Sequence, residues 1–328
     1  MVRSLRYPAR VLLFAFFLFL FDRSLFFLIQ SFQRVTLQRE SFKKRFIRFP
    51  PGTYSTLIMG SSRAFRGIHP HYLYEELGEK AYKIARHAAG PKFNCQFYDQ
   101  YKRFAGVPRV VIYGVDYFMF ALHSPQWFLK YLDDAEADAE TWRGGPLHLL
   151  SNKARIDSFI STWLNRLNQG FRADGPERRS TMAGEVDDFI GFPAGDPLPT
   201  RKPVTFRKIP YSPYPGREGT YFHRLLETLE RDGVTTVLVI LPDFIGTYET
   251  NFERERFLED IRRLIRPFSH VVLLDYNRPD VFPLSRSRYF KDGGYGFGNS
   301  HLSREGGRLF NRLLIEDLKA TYAEGGSE

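Results

Sequence analysis

The chain has 328 residues, 43% of them apolar, with a single cysteine and a formal net charge of +10. This is enough for one large α/β domain with an appendage, or for two small domains, and it excludes global disorder. Cys95 alone rules out an intramolecular disulfide, a cysteine-rich zinc site and a two-cysteine redox motif.

In chain order, Arg3, Arg6 and Arg10 precede an apolar run over 11–21; Asp22-Arg23 interrupts it, and apolar residues resume to about 30. Counted through the interruption, the stretch reaches the ~20 residues that a spanning helix needs. No small-x-small cleavage site follows, so residues 1–33 are expected to form an uncleaved signal anchor and transmembrane helix. A cleaved signal peptide or an interfacial helix is the competing reading. A basic linker over 34–52 follows, with Arg34, Arg39, Lys43, Lys44, Arg45 and Arg48 suited to anionic lipid head groups. The net charge is therefore read as a membrane signal. No nucleic-acid reader motif is present, and no nucleic-acid partner is expected.

Phe49-Pro50-Pro51-Gly52 breaks the chain, and a domain is expected over 53–328. Near-continuous apolar runs predict strands at 55–60, 81–86, 109–118, 235–242 and 270–276. Helices are expected over 69–78, from about 91 to 104, and over 221–233, 251–265 and 304–322. This alternation predicts an α/β fold of three layers, a parallel sheet covered by helices on both faces. Residues 121–215 break the rhythm with an acidic run at 133–136, one helical piece and a Pro/Gly-rich tract. They are expected to be an insertion of the kind that shapes specificity.

Two stretches carry the chemistry. Gly60-Ser61-Ser62-Arg63 ends the first strand, and Gly298-Asn299-Ser300-His301-Leu302-Ser303 precedes the last helix. In a doubly wound sheet the loops at the carboxyl ends of the strands converge, so a serine after β1 and a distant histidine can meet. A serine hydroxyl needs an imidazole to take its proton, and the imidazole needs a partner to fix its tautomer. Taken alone, Gly-Ser-Ser also fits a turn with an N-cap serine, and His301 also fits a surface position. His69 and His71 flank Pro70 as helix-start residues; no third ligand at metal-site spacing accompanies them, and neither metal nor cofactor is expected. Asp243, at the end of the fourth strand, is a candidate pocket residue.

The pattern over about 53–322 resembles the SGNH (GDSL-like) hydrolase superfamily, with the insertion unmatched. The resemblance implies a flavodoxin-like sheet, Ser62 as nucleophile and His301 as base, with His301-Leu302-Ser303 and Gly306 matching the last block. It further implies oxyanion stabilisation from Ser62, Gly90 and the position of Asp116. The Gly-Ser-Ser form is similar to that of membrane-anchored members acting in alginate O-acetylation and teichoic-acid D-alanylation. That likeness implies a single-pass protein of the bacterial inner membrane with its domain outside the cytoplasm. It also implies an envelope polysaccharide or acyl donor as partner, beside a multi-pass O-acyltransferase.

Three departures stand against the pattern. Gly298 occupies the place of the triad acid, three residues before His301; Asp292 is the first candidate for that role and Asn299 the second. The third block puts Asp116 where the family has an asparagine donor. An ionised carboxylate there repels an oxyanion, so the position must be protonated, turned away or reassigned. Ser61 is the alternative nucleophile, expected to face away from Ser62. Three functions follow: an acyl-transferring or acyl-removing serine enzyme, a non-catalytic scaffold or glycan-binding protein of the same fold in an envelope polymer machinery, or a basic membrane-surface protein with no catalytic role.

Overall fold

A computed structural model describes residues 10–21, 24, 50–85, 89–120, 216–250, 253–290 and 301–325. The chain divides into two compact units, and residues 10–21 and 24 belong to the first. Residues 10–21 are helical, and Val11, Leu12, Phe14, Phe17 and Phe21 are among its exposed apolar side chains. No helix among the described residues is long and apolar enough to cross a membrane. The rest of the expected anchor, the basic linker to residue 49 and the expected insertion at 121–215 lie outside the described residues.

The second unit is built on five parallel strands. They are β1 (Thr56–Gly60), β2 (Ala81–Lys83), β3 (Val110–Gly114), β4 (Thr235–Ile240) and β5 (Val271–Asp275). The order across the sheet is β2-β1-β3-β4-β5. Register is continuous across the centre: Ile58 pairs with Ile112, and Ile112 with Val237. β1, β3 and all but the first residue of β4 are buried, as expected for strands read from apolar runs. The predicted ends hold within one or two residues except for β2, which is three residues long, and β3, which stops at Gly114, four residues before the predicted end.

Helices cover both faces. On one lie α1 (Ser62–Gly67), α2 (Pro70–Leu77) and, from the far end of the chain, α7 (Arg304–Gly325). Ala64, Leu73, Phe310, Leu314 and Leu318 from these helices pack with Ile58, Ile112, Val237 and Val239 in one core. The short α5 (Ile245–Thr250), which follows β4, sets Ile245 and Tyr248 against this same core, and on the other face lie α3 (Pro91–Ala105), α4 (Arg217–Arg231) and α6 (Arg254–Ile265). α4 buries Phe222, Leu225, Leu226 and Leu229, spaced as one helical stripe. Phe222 meets Tyr113 of β3 at a 5.5 Å ring separation. Phe120, in a 3-10 turn after β3, touches both Phe222 and Phe257 of α6.

The turn out of β1 needs a glycine. Gly60 has φ +125°, and a Cβ there would stand 2.7 Å from the Gly114 carbonyl oxygen and 2.8 Å from the Ala64 Cβ. Backbone conformation and crowding therefore both exclude a side chain. Gly60→Ala is expected to cost about 2–4 kcal/mol. Gly52→Ala, also at positive φ but with nothing within 4 Å, should cost only about 1 kcal/mol. Thermal denaturation of the two variants measures the difference, and equal losses would exclude the crowding at Gly60.

Candidate active site

The strand order reverses direction between β1 and β3. In a doubly wound sheet the crevice at that switch point, beyond the carboxyl ends of the strands, is where ligands bind. Ser61, Ser62 and Arg63 follow β1 at this edge, Asp116 follows β3, Asp243 follows β4 and Asn277 follows β5.

Ser62 opens α1, and His301 stands three residues before α7. Although 239 residues apart, they meet: His301 Nε2 lies 2.9 Å from Ser62 Oγ, and both residues are buried. With Nε2 unprotonated, the hydroxyl donates to it, which is the arrangement of a nucleophile and its base. The approach to His301 is pinned by an antiparallel bridge between Phe290 and Leu302, and the Ser303 N–H donates to the Tyr289 carbonyl at 2.9 Å. Gly298, Asn299 and Asp292 lie outside the described residues.

Ser61 does something different. It is the N-cap of α1: its hydroxyl oxygen accepts the Arg63 N–H at 3.1 Å, and the hydroxyl donates to Asp116 Oδ2. Consecutive serines thus point to different partners, Ser61 to a carboxylate and Ser62 to the imidazole.

Asp116, expected at the oxyanion position, is a buried carboxyl tied to Ser61 and Arg63. Its Oδ2 takes the Ser61 hydroxyl, and its Oδ1 takes Arg63 Nη1 at 2.8 Å. A carboxylate committed in this way donates nothing to an oxyanion. Arg63 is 2% exposed, and its Nη2 donates to the Leu241 and Pro242 carbonyls at 2.8 and 2.7 Å. The same nitrogen lies 3.0 Å from Asp243 Oδ1. That contact is ionic and not a directed hydrogen bond, because Nη2 points its protons at the two carbonyls. Asp243 is held instead by Asn277, whose amide donates to Oδ2 at 2.8 Å and accepts the Asp243 N–H at 2.8 Å. Burial pushes the Asp243 carboxyl up to about 6 against the pull of Arg63. Burial also raises Asp116, opposed by Arg63, the Ser61 hydrogen bond and His301.

Gly90 lies at the same edge as the N-cap of α3. Its carbonyl accepts from Asn94 Nδ2 at 3.0 Å, and Asn94 Oδ1 accepts the Gly60 N–H at 3.3 Å. Asn94 therefore links Gly90 to the turn that carries Ser62. The Glu218 carboxylate stands against Gly90, where a Cβ would meet Oε2 at 2.9 Å, and it accepts the Lys92 N–H at 2.9 Å. Another buried amide joins the two halves of the serine–histidine pair. Asn311 of α7 donates to the Gly67 carbonyl at 2.8 Å and accepts the His69 N–H at 2.9 Å. Asn94, Asn277 and Asn311 carry no sequence signal. Arg63 sits in the motif itself, but its burial follows only from the two carboxyls that the fold brings to it.

No family model matches the chain, and no curated protein matches it. Among solved structures it is similar to a "putative acylhydrolase" from Bacteroides fragilis, at 11% identity and a TM-score of 0.37, over 87% of this chain and 97% of that one. At that score the likeness assigns neither family nor activity.

Removing Arg63 leaves two buried carboxyls facing each other. Arg63→Met is expected to lower stability by about 3–5 kcal/mol at pH 7.5. Without the guanidinium both folded-state carboxyl pKa values rise further above their unfolded values. The variant's stability is then largest below the unfolded pKa and falls as pH rises through the folded one. The gap to wild type should accordingly narrow at pH 5. Denaturant unfolding at the two pH values tests this; a gap that is equal or wider at pH 5 would exclude the charge account.

Proposed function

We propose that this protein is a serine acyltransferase or esterase of the SGNH type, with Ser62 as nucleophile and His301 as general base. What supports the reading is the 2.9 Å contact between Ser62 Oγ and His301 Nε2 at the sheet's switch point. In the first step Ser62 Oγ bonds to the acyl carbon of an ester while its proton passes to Nε2. The tetrahedral intermediate then expels the alkoxide, which takes the proton from the imidazolium. The Ser62 backbone N–H, at the first turn of α1, is the nearest candidate donor to the oxyanion. Water or a sugar hydroxyl then accepts the acyl group from the serine.

Asp292 is the proposed partner of His301, ahead of Asn299. Phe290, two residues before Asp292, bridges Leu302, the neighbour of His301. The proposed setting is a single-pass anchor at the bacterial inner membrane, with the domain outside the cytoplasm. There it would act on an envelope polysaccharide beside a multi-pass O-acyltransferase. The exposed apolar helix at 10–21 and the basic residues from Arg34 to Arg48 support attachment. A second reading, a non-catalytic scaffold, draws on Asp116, a carboxylate where the family has an oxyanion donor.

A fluorophosphonate probe and a p-nitrophenyl ester separate the two. Wild type should be labelled, and Ser62→Ala and His301→Gln should each lose labelling and at least ~10³-fold in kcat. Ser61→Ala should remain within about tenfold, since its hydroxyl serves Asp116 and the cap. Asp292→Asn should cost far more activity than Asn299→Ala. Full activity in Ser62→Ala would leave the serine mechanism untenable.

A further inference from the structure

We propose that Asp116 is a positioning residue that acts through His301: fixed beside the Ser62 turn by Ser61 and Arg63, its carboxylate is a counter-charge, additional to the proposed partner Asp292, that favours the protonated imidazole. The inference rests on the reading of Ser62 and His301 as a nucleophile–base pair. Base catalysis by an imidazole is assisted by a negative charge that stabilises the imidazolium formed when the serine proton arrives. Three residues before His301 the chain has glycine. Among the described residues, the carboxylate tied to the same turn as the imidazole is Asp116. Ser61 and Ser62 are consecutive; the first hydroxyl goes to Asp116 Oδ2 and the second to His301 Nε2. Both Asp116, at 1% exposure, and His301, at 5%, are shielded from water, so little solvent screens the attraction between them.

The surrounding charges decide whether any negative field is left. Arg63 from α1 faces Asp116 and would neutralise it in a simple pair. Arg63 also faces Asp243 from the end of β4, so one guanidinium is set against two carboxyls. Arg254 of α6 does not restore the balance, because it is paired with Asp275 and Glu255. Asn277 and Tyr117, the other polar neighbours of the cluster, are neutral. With both carboxyls ionised the cluster carries one excess negative charge beside the base. The attraction is visible from the other side as well: His301 draws the Asp116 carboxyl down against the effect of burial, and such coupling is reciprocal. The arrangement also gives a physical reason for an aspartate in the third block. A neutral asparagine there could donate to an oxyanion, but it would supply no charge to the imidazole.

The test is the His301 titration, read by NMR on the full chain labelled with ε1-13C histidine, with His301→Gln assigning the resonance. In Asp116→Asn the His301 midpoint should fall by about one pH unit, the low end of the effect of a nearby opposite charge. A merely structural role for Asp116 would leave the midpoint in place. If Asp116→Asn does not fold, Asp243→Asn decides. It removes the second carboxylate, leaves Arg63 less compensated and should move the midpoint the same way by a smaller amount. An unchanged midpoint in a folded variant overturns the proposal. The serine assignment fails separately: fluorophosphonate labelling of Ser62→Ala at the wild-type rate would remove the catalytic reading while the titration still decided the charge coupling.

Discussion

The buried guanidinium of Arg63 is the constraint on which the carboxyl edge of the sheet depends. Taking this cation out of water costs several kcal/mol unless its hydrogen bonds and its charge are matched. The match comes from two places in the chain: Asp116 beyond β3, and the stretch after β4 that supplies the Leu241 and Pro242 carbonyls and Asp243. One side chain from the first turn of α1 thus fixes that turn against the ends of β3 and β4. Ser62 is the residue immediately before it. Any displacement of the serine relative to the sheet would have to break charge-assisted hydrogen bonds in a medium that offers no water to replace them.

The other half of the site is fixed by close approach. α7 begins three residues after His301, and two glycines and an amide fix it against α1 and the sheet. A Cβ on Gly306 would lie 2.1 Å from the Tyr289 carbonyl oxygen, so the first turn of α7 rests on the backbone of 287–289. A Cβ on Gly67 would lie 2.6 Å from Leu241 Cδ2, so the end of α1 rests on the end of β4. Asn311 then joins the α1 terminus to α7 with buried hydrogen bonds. Serine and histidine are therefore placed by two elements that are themselves bonded to each other. That is how residues 239 apart in sequence hold a 2.9 Å contact.

The sheet was legible in the sequence because buried parallel strands are continuous apolar runs, and β1, β3, β4 and β5 show such runs bounded by glycine, proline or charge. The pairing of Ser62 with His301 was legible only through motif order; no local signal brings two such distant residues together. The role of Asp116 was not legible. An aspartate after a strand reads equally as a cap, a donor's replacement or an ion-pair partner, and the choice is made by Arg63, more than fifty residues away in the chain. The short α5 was also invisible: six residues spanning Ile245–Thr250 carry too little periodicity to distinguish a helix from a turn.

The charge count at this edge is unfavourable for stability. Two carboxyls share one arginine, and burial pushes Asp243 to about 6, well above its unfolded value. A raised carboxyl pKa means that the folded state holds a proton the unfolded chain releases, so stability falls as pH rises between the two values. At neutral pH the fold therefore carries a cost that apolar side chains of similar volume would remove. The second carboxyl makes sense where its field is used, and the group positioned to use it is the imidazole of His301. Such a field acts only while the site stays dry and its dipoles stay fixed. The same buried bonds that hold Ser62 and His301 in place maintain both conditions, so the rigidity of the edge and the electrostatics of the base have one origin in the Arg63 cluster.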